Sequence, residues 1–236
     1  MKTNFRTSTS GKNIIKKSKK KTILFQGDSV TDCARCDVSA QILDSTGGLG
    51  AGYAFIASAK LQAEQPACGW TFLNRGIGGN KVADLLARWR CDALSLKPNV
   101  ISILIGVNDC AHRVGEGYDI FEKVFRLLIE MTRSELPSTS LVLCEPFARE
   151  TESFPKHHLA MLKDYSRIVR NLATENECLF VPFQELFDDL FREAPGEHWL
   201  PDGVHPSAVA HFRMADFWLK HCRFLQTELP GHHVLA

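Results

Sequence analysis

Thr22-Ile-Leu-Phe-Gln-Gly-Asp-Ser-Val-Thr-Asp32 is the stretch from which the fold can be read. A short apolar run, the pattern of a buried strand, breaks at Gly27 into a polar turn. Ser29 stands two residues past the break, where a strand end presents a hydroxyl to solvent. Serine alone is a weak nucleophile and needs a base and an oxyanion site. The reading therefore turns on whether the rest of the chain supplies both, at positions one fold brings together.

Four further apolar runs look like buried strands: Trp70–Asn74, Asn99–Ile105, Ser140–Cys144 and Cys178–Val181. Segments of helical period lie between them. Val82, Leu85, Leu86, Trp89 and Ala93 form one apolar stripe, and Val124, Leu127, Leu128 and Met131 form another. Asp119 and Glu122 have the spacing of a capping box for the second of these helices. Leu159–Glu175 and Ser207–Phe224 complete the set, with Pro206 suited to a first helical turn. Trp89 and Phe212 are expected in the core. Alternation of strand and helix predicts an α/β fold, a five-stranded parallel sheet covered on both faces as a three-layer α/β/α sandwich. Five strands favour the flavodoxin-like order 2-1-3-4-5, in which ligands bind beyond the carboxyl ends of the strands.

At 236 residues the chain is read as one domain, residues 22–236, behind a basic leader at 1–21. That leader carries eight Lys/Arg and no acid, which leaves 20 basic against 27 acidic side chains elsewhere. A basic leader can mark contact with nucleic acid or an anionic surface. A solubilising tail is the preferred reading, and no nucleic-acid partner is expected. No apolar h-region follows the lysines, and no stretch approaches the roughly 18 apolar residues of a membrane span. A soluble, cytoplasmic protein is the expectation, with homo-oligomerisation left open. The eight cysteines suit free thiols in that compartment. Cys33-Ala-Arg-Cys36 has no second C-x-x-C, so neither a metal nor a dithiol role is expected.

The chemistry-bearing residues cluster where the strand rule demands. Gly27-Asp28-Ser29 follows the first strand, Asn74-Arg-Gly-Ile-Gly-Gly-Asn80 the second, and Gly106-Val-Asn108-Asp109 the third. Asp202-Gly-Val-His205-Pro206 precedes the last helix. Asp202 and His205 are three apart, so both side chains reach one face of a single turn. The carboxylate can hold the imidazole Nδ1–H and leave Nε2 to take the serine proton. The Gly-rich turn can aim a backbone N–H at an oxyanion, Asn108 adds a side-chain amide, and Ser29 its own N–H. Each piece alone could be an ordinary turn. Gly76-Ile-Gly-Gly79 lacks the spacing of a dinucleotide or P-loop motif.

In combination these four blocks resemble the GDSL/SGNH hydrolase superfamily over about residues 22–222. The resemblance implies the SGNH hydrolase fold and a serine esterase with Ser29 as nucleophile, His205 as base and Asp202 as its orienter. It implies an oxyanion hole of Ser29, Gly79 and Asn108, and no cofactor. The run from Asn74 through Asp84, Arg88 and Trp89, with Ser102-Ile-Leu-Ile-Gly-Val-Asn-Asp109, is most similar to bacterial acetylxylan esterase-like and rhamnogalacturonan acetylesterase-like members. That implies removal of short acyl groups, O-acetyl above all, from a small-molecule or oligosaccharide ester. The alternative is a lysophospholipase or thioesterase acting on longer acyl esters. Two departures fall where the acyl pocket would be rimmed: Cys110-Ala-His112-Arg113 after the Asn-Asp pair, and Leu200-Pro201 before Asp202, with Trp199 slightly earlier. Glu145-Pro-Phe147 is a candidate pocket wall.

Overall fold

A computed structural model describes residues 21–36, 47–112 and 117–225. Most of the basic leader, Arg113 and His232-His233 lie outside these residues. Five strands, β1 (Lys21–Gly27), β2 (Trp70–Asn74), β3 (Val100–Leu104), β4 (Ser140–Cys144) and β5 (Leu179–Val181), form one sheet of order β2-β1-β3-β4-β5. Every pairing is parallel, with Ile23 opposite both Phe72 and Val100 at the centre. This is the flavodoxin-like order. Because β1 leads to β2 on one side and β3 lies on the other, the switch-point crevice opens between the ends of β1 and β3.

The helices among the described residues are α1 (Ser29–Asp32), α2 (Tyr53–Glu64), α3 (Val82–Asp92), α4 (Val107–Ala111), α5 (Tyr118–Glu135), α6 (Lys156–Glu175), α7 (Phe183–Glu193), α8 (Gly196–Trp199) and α9 (Ala208–His221). Strand side chains alternate between the two faces. Ile23 and Phe25 of β1 enter a core with Tyr53, Phe183, Met214 and Trp218, from α2, α7 and α9. Leu24 points the other way, into a core with Trp89, Phe125 and Val169 from α3, α5 and α6. The two large indoles are fully buried yet satisfied. Trp218 Nε1 donates to Ser102 Oγ at 3.0 Å, and Trp89 Nε1 donates to Thr132 Oγ1 at 3.1 Å.

Four local expectations are corrected. The buried face of α5 is Phe121, Phe125, Leu128, Ile129 and Thr132, while Leu127 is exposed. The aromatic residues, with more area to bury, set the angle of the helix against the sheet. Gly117, not Asp119, is the N-cap of α5, and Glu122 pairs with Arg126 one turn on. Pro206 precedes the N-cap of α9, which is Ser207, whose Oγ accepts from Ala210 N–H. Phe212 lies on the outer face of α9, half exposed, with Lys60 Nζ 4.3 Å above its ring.

Candidate active site

Asp28 is the N-cap of α1, and its Oδ1 accepts from Val30 N–H at 3.1 Å. Ser29 is then the first helical residue, whose own N–H has no intrahelical partner. The residues that fix this turn are polar, buried and close. Asn74, at the end of β2, donates through Nδ2 to Thr31 O (2.6 Å) and Leu49 O (2.9 Å), and its Oδ1 accepts from Gly76 N–H (2.8 Å). Gly76 must be glycine, since a Cβ there would sit 2.4 Å from Asp32 N. Asp32 Oδ2 accepts from Gly78 N–H at 3.1 Å. The Gly-rich loop is thereby drawn alongside Ser29.

The predicted base and orienter arrive from a distant part of the chain. Ser29 Oγ lies 2.8 Å from His205 Nε2, and His205 Nδ1 lies 2.6 Å from Asp202 Oδ2. Asp202 Oδ1 accepts from the backbone N–H groups of Val204 (2.9 Å) and His205 (2.8 Å). Burial pushes the Asp202 carboxyl up, but these hydrogen bonds and the imidazole outweigh it and hold the carboxyl below its usual range. With Asp202 ionised, Nδ1 is the protonated nitrogen and Nε2 is free to accept from Ser29. The three residues thus form one hydrogen-bonded chain.

The donors gather on the same side. No hydrogen bond within the described residues engages the N–H of Ser29 or of Gly79. Gly79 has φ +79°, a left-handed conformation that favours glycine, and a Cβ there would meet nothing within 4 Å. Asn108 Nδ2 donates one hydrogen to Asn80 O at 3.1 Å, which fixes the amide and leaves a second hydrogen free. Its neighbour Asp109 does structural work: both carboxylate oxygens accept from Val82 N–H, at 3.1 and 3.3 Å, at the start of α3. Among the described residues no group of three or more His, Cys, Asp or Glu could hold a metal ion.

Other residues of the quoted motifs have different places. Phe147 stacks on Phe187 in the core, 4.3 Å between ring centroids, and with Pro146 it walls a small cavity beside Asp28 and Val30, while Glu145 lines a different cleft. Trp199 is also buried and does not form a rim. His112 is exposed, and its carbonyl accepts from Lys81 Nζ at 2.6 Å. Cys33 Sγ faces His211 Nε2 at 3.3 Å. Tyr53 N–H donates to His211 Nδ1, which assigns the proton to Nε2, and burial lowers the ring's pKa to about 4.

Two arginines had no assigned role in the sequence reading. Arg149 donates from Nε to Leu200 O (2.7 Å) and from Nη2 to Pro201 O (3.0 Å), while its backbone N–H donates to Gly203 O (2.8 Å). Thr151 Oγ1 adds a bond to Asp202 O at 3.2 Å. Together they clasp the loop that carries Asp202 and His205. Arg88 braces the Gly-rich turn, donating from Nη1 to Arg75 O (2.7 Å) and Gln26 Oε1 (3.0 Å), and from Nε to Asn80 Oδ1 (2.9 Å). Arg88 sits in the quoted motif run, whereas Arg149 has no local pattern that could have singled it out.

The model of the GDSL-like lipase/acylhydrolase family matches residues 25–212, which include Ser29, Gly79, Asn108, Asp202 and His205. The chain belongs to that family. It is 34% identical over 215 residues to an acetylxylan esterase of Geobacillus stearothermophilus, covering 86% of this chain and 94% of the relative. A crystal structure of that enzyme has a TM-score of 0.76 at 31% identity, over 85% of this chain and 93% of the other. Its solved catalytic mutants replace a serine, an aspartate and a histidine by alanine, the aspartate three positions before the histidine. A structure from Parabacteroides merdae assigned as a GDSL-like lipase has a TM-score of 0.82 at 37% identity, over 88% and 97% of the two chains. This member of the family is accordingly an esterase, a carboxylic ester hydrolase. None of its described helices is long and apolar enough to cross a membrane.

Proposed function

We propose that this esterase removes short acyl groups, acetyl above all, from carbohydrate esters through an acyl-enzyme on Ser29. The observation that carries the mechanism is the unbroken chain from Ser29 Oγ to His205 Nε2 and from His205 Nδ1 to Asp202 Oδ2, at 2.8 and 2.6 Å. His205 takes the Ser29 proton as Oγ attacks the ester carbonyl. Asp202 holds the imidazole in the required tautomer and stabilises the imidazolium. The tetrahedral anion rests against the free N–H groups of Ser29 and Gly79 and the second amide hydrogen of Asn108. Collapse expels the alcohol, which His205 protonates, and the same residue then activates water to release the acid.

The acetyl and carbohydrate parts of the reading are supported by the 34% identity to an acetylxylan esterase over nearly its whole length. Hydrolysis of p-nitrophenyl acetate, butyrate, octanoate and dodecanoate by wild type and Ser29→Ala tests it. Activity greatest on acetate and lost in the variant is the expected result. Rates that rise with chain length would move the substrate to a lipid or thioester. A folded Ser29→Ala protein with full activity would remove the serine mechanism.

A further inference from the structure

One concavity lies apart from Ser29 and His205. It is a cleft of about 650 Å³ between α6 and α7, beside the segment that follows β4. Its apolar floor comes from Ala148, Leu159, Leu162 and Phe191. Above that floor, one face of α6 presents Lys156, Lys163, Arg167 and Arg170, spaced so that all four point to the same side of the helix.

Local pairing accounts for two of these cations and leaves the other two unmatched. Arg170 is matched by Glu185 at 2.9 Å and Arg167 by Asp164 at 3.0 Å. Lys156 and Lys163 have no acidic partner within 4.0 Å among the described residues. Lys156 opens α6, and the first turn contains no acid, the reverse of what the helix dipole favours. The acids on the cleft wall are mostly engaged. Glu145 Oε2 accepts from Gln184 N–H, Asp188 Oδ1 accepts from Gln184 Nε2, and Glu150 is exposed at the edge. Burial pushes the Glu145 carboxyl up, which favours its neutral form and lessens its opposition to an anion.

We propose that this cleft is a second ligand site, which takes an organic oxyanion of one or two sugar rings. The apolar floor would meet the ring faces, and Lys163 and Arg167 the carboxylate or phosphate. The volume falls in the range of small-molecule sites, roughly 300–1,000 Å³. Its lining contains neither Ser29 nor His205, although it includes Arg149, which holds the loop that carries Asp202 and His205.

Isothermal titration of the full chain with glucuronate, glucose 6-phosphate and glucose tests the assignment, using wild type, Ser29→Ala and Lys163→Gln/Arg167→Gln. One or both anions bind wild type and Ser29→Ala alike and at least tenfold more tightly than glucose. The double variant loses at least tenfold in affinity, and a Lys163→Arg/Arg167→Lys protein retains it. Glucuronate alone would identify a carboxylate ligand, and the sugar phosphate alone a phosphate ligand. Equal binding of glucose, unchanged anion binding in the folded double variant, or no anion binding at millimolar concentration would overturn it.

Discussion

Arg149→Met keeps most of the side chain's length and removes its hold on the loop that carries Asp202 and His205. The side chain is only 15% exposed, and its guanidinium donates to two carbonyls of that loop, Leu200 O at 2.7 Å and Pro201 O at 3.0 Å. Hydrogen bonds from a charged donor contribute about 1.5–3 kcal/mol each, so the pair holds the loop with roughly 3–6 kcal/mol before relaxation. The Arg149 backbone bond to Gly203 O and the Thr151 bond to Asp202 O survive the substitution, so only part of that is lost. If about 1.4–2.7 kcal/mol falls on the transition state, kcat drops roughly 10- to 100-fold. KM should stay within about twofold, because Arg149 orients the base and touches none of the reacting atoms. Steady-state kinetics on p-nitrophenyl acetate would separate the two constants, with thermal melts run in parallel. Arg149→Lys, which restores charge and one donor, should recover part of kcat. A variant that melts lower but keeps wild-type kcat would refute the argument, since Arg149 would then stabilise the fold without positioning the base.

Asp202→Asn should lower kcat roughly 10⁴-fold at neutral pH with the fold intact. Its amide oxygen would keep the Val204 and His205 N–H groups, which turns the NH₂ toward His205 Nδ1 and moves the imidazole proton to Nε2. Wild-type turnover by this variant in stopped assays would contradict that. Asn108→Ala removes one oxyanion donor and should cost roughly 10²–10³ in kcat while leaving the Ser29–His205 contact in place; a loss confined to KM would assign Asn108 to substrate binding instead. Burial raises the Asp28 carboxyl to about 7, against the opposing Val30 N–H and His205, so in the folded state it holds its proton more tightly than when unfolded. The favourable contribution of the protonated form is complete below the ordinary carboxylate range near 4 and is lost as pH rises through 7. Asp28→Asn still caps α1 and cannot ionise, so its Tm advantage over wild type should be small at about pH 5 and larger at about pH 8. A difference independent of pH in thermal melts would contradict the raised carboxyl.

The sheet could be read from the chain because its strands are buried on both sides. Val100 to Leu104 is apolar almost throughout and is fully buried, which few other environments tolerate. The candidate site positions stood out for a related reason. In this fold they follow strand ends, so Ser29, Gly79 and Asn108 stand beside signals of another kind, a break from apolar run to turn. What escaped was structure without local periodicity. In α2, Tyr53, Ala54, Ala57, Ser58 and Leu61 are buried, but small and apolar residues surround the helix too evenly to mark a face. Arg149 acts across 51 residues, through carbonyls that any sequence would supply. The phase of α5 was misread by one position because Val124 and Leu127 match the helical period as well as Phe121 and Phe125 do. Contact with the sheet selects between such stripes, and that contact lies outside any short window. The cleft on α6 was unreadable for the same reason: its lysines look like a solvated face until α7 closes the opposite wall.

The central claim is that Ser29 carries the acyl group between two half-reactions. Rapid-quench mixing of the enzyme with p-nitrophenyl acetate, followed by peptide mass spectrometry, tests it most directly. The account predicts that a single acetyl group appears on Ser29 at a rate that matches any burst of p-nitrophenol. It also predicts that this label disappears as acetate is released, and that none forms in Ser29→Ala. Sustained turnover with no acetyl on Ser29 at any time, or with the label on another residue, would contradict it.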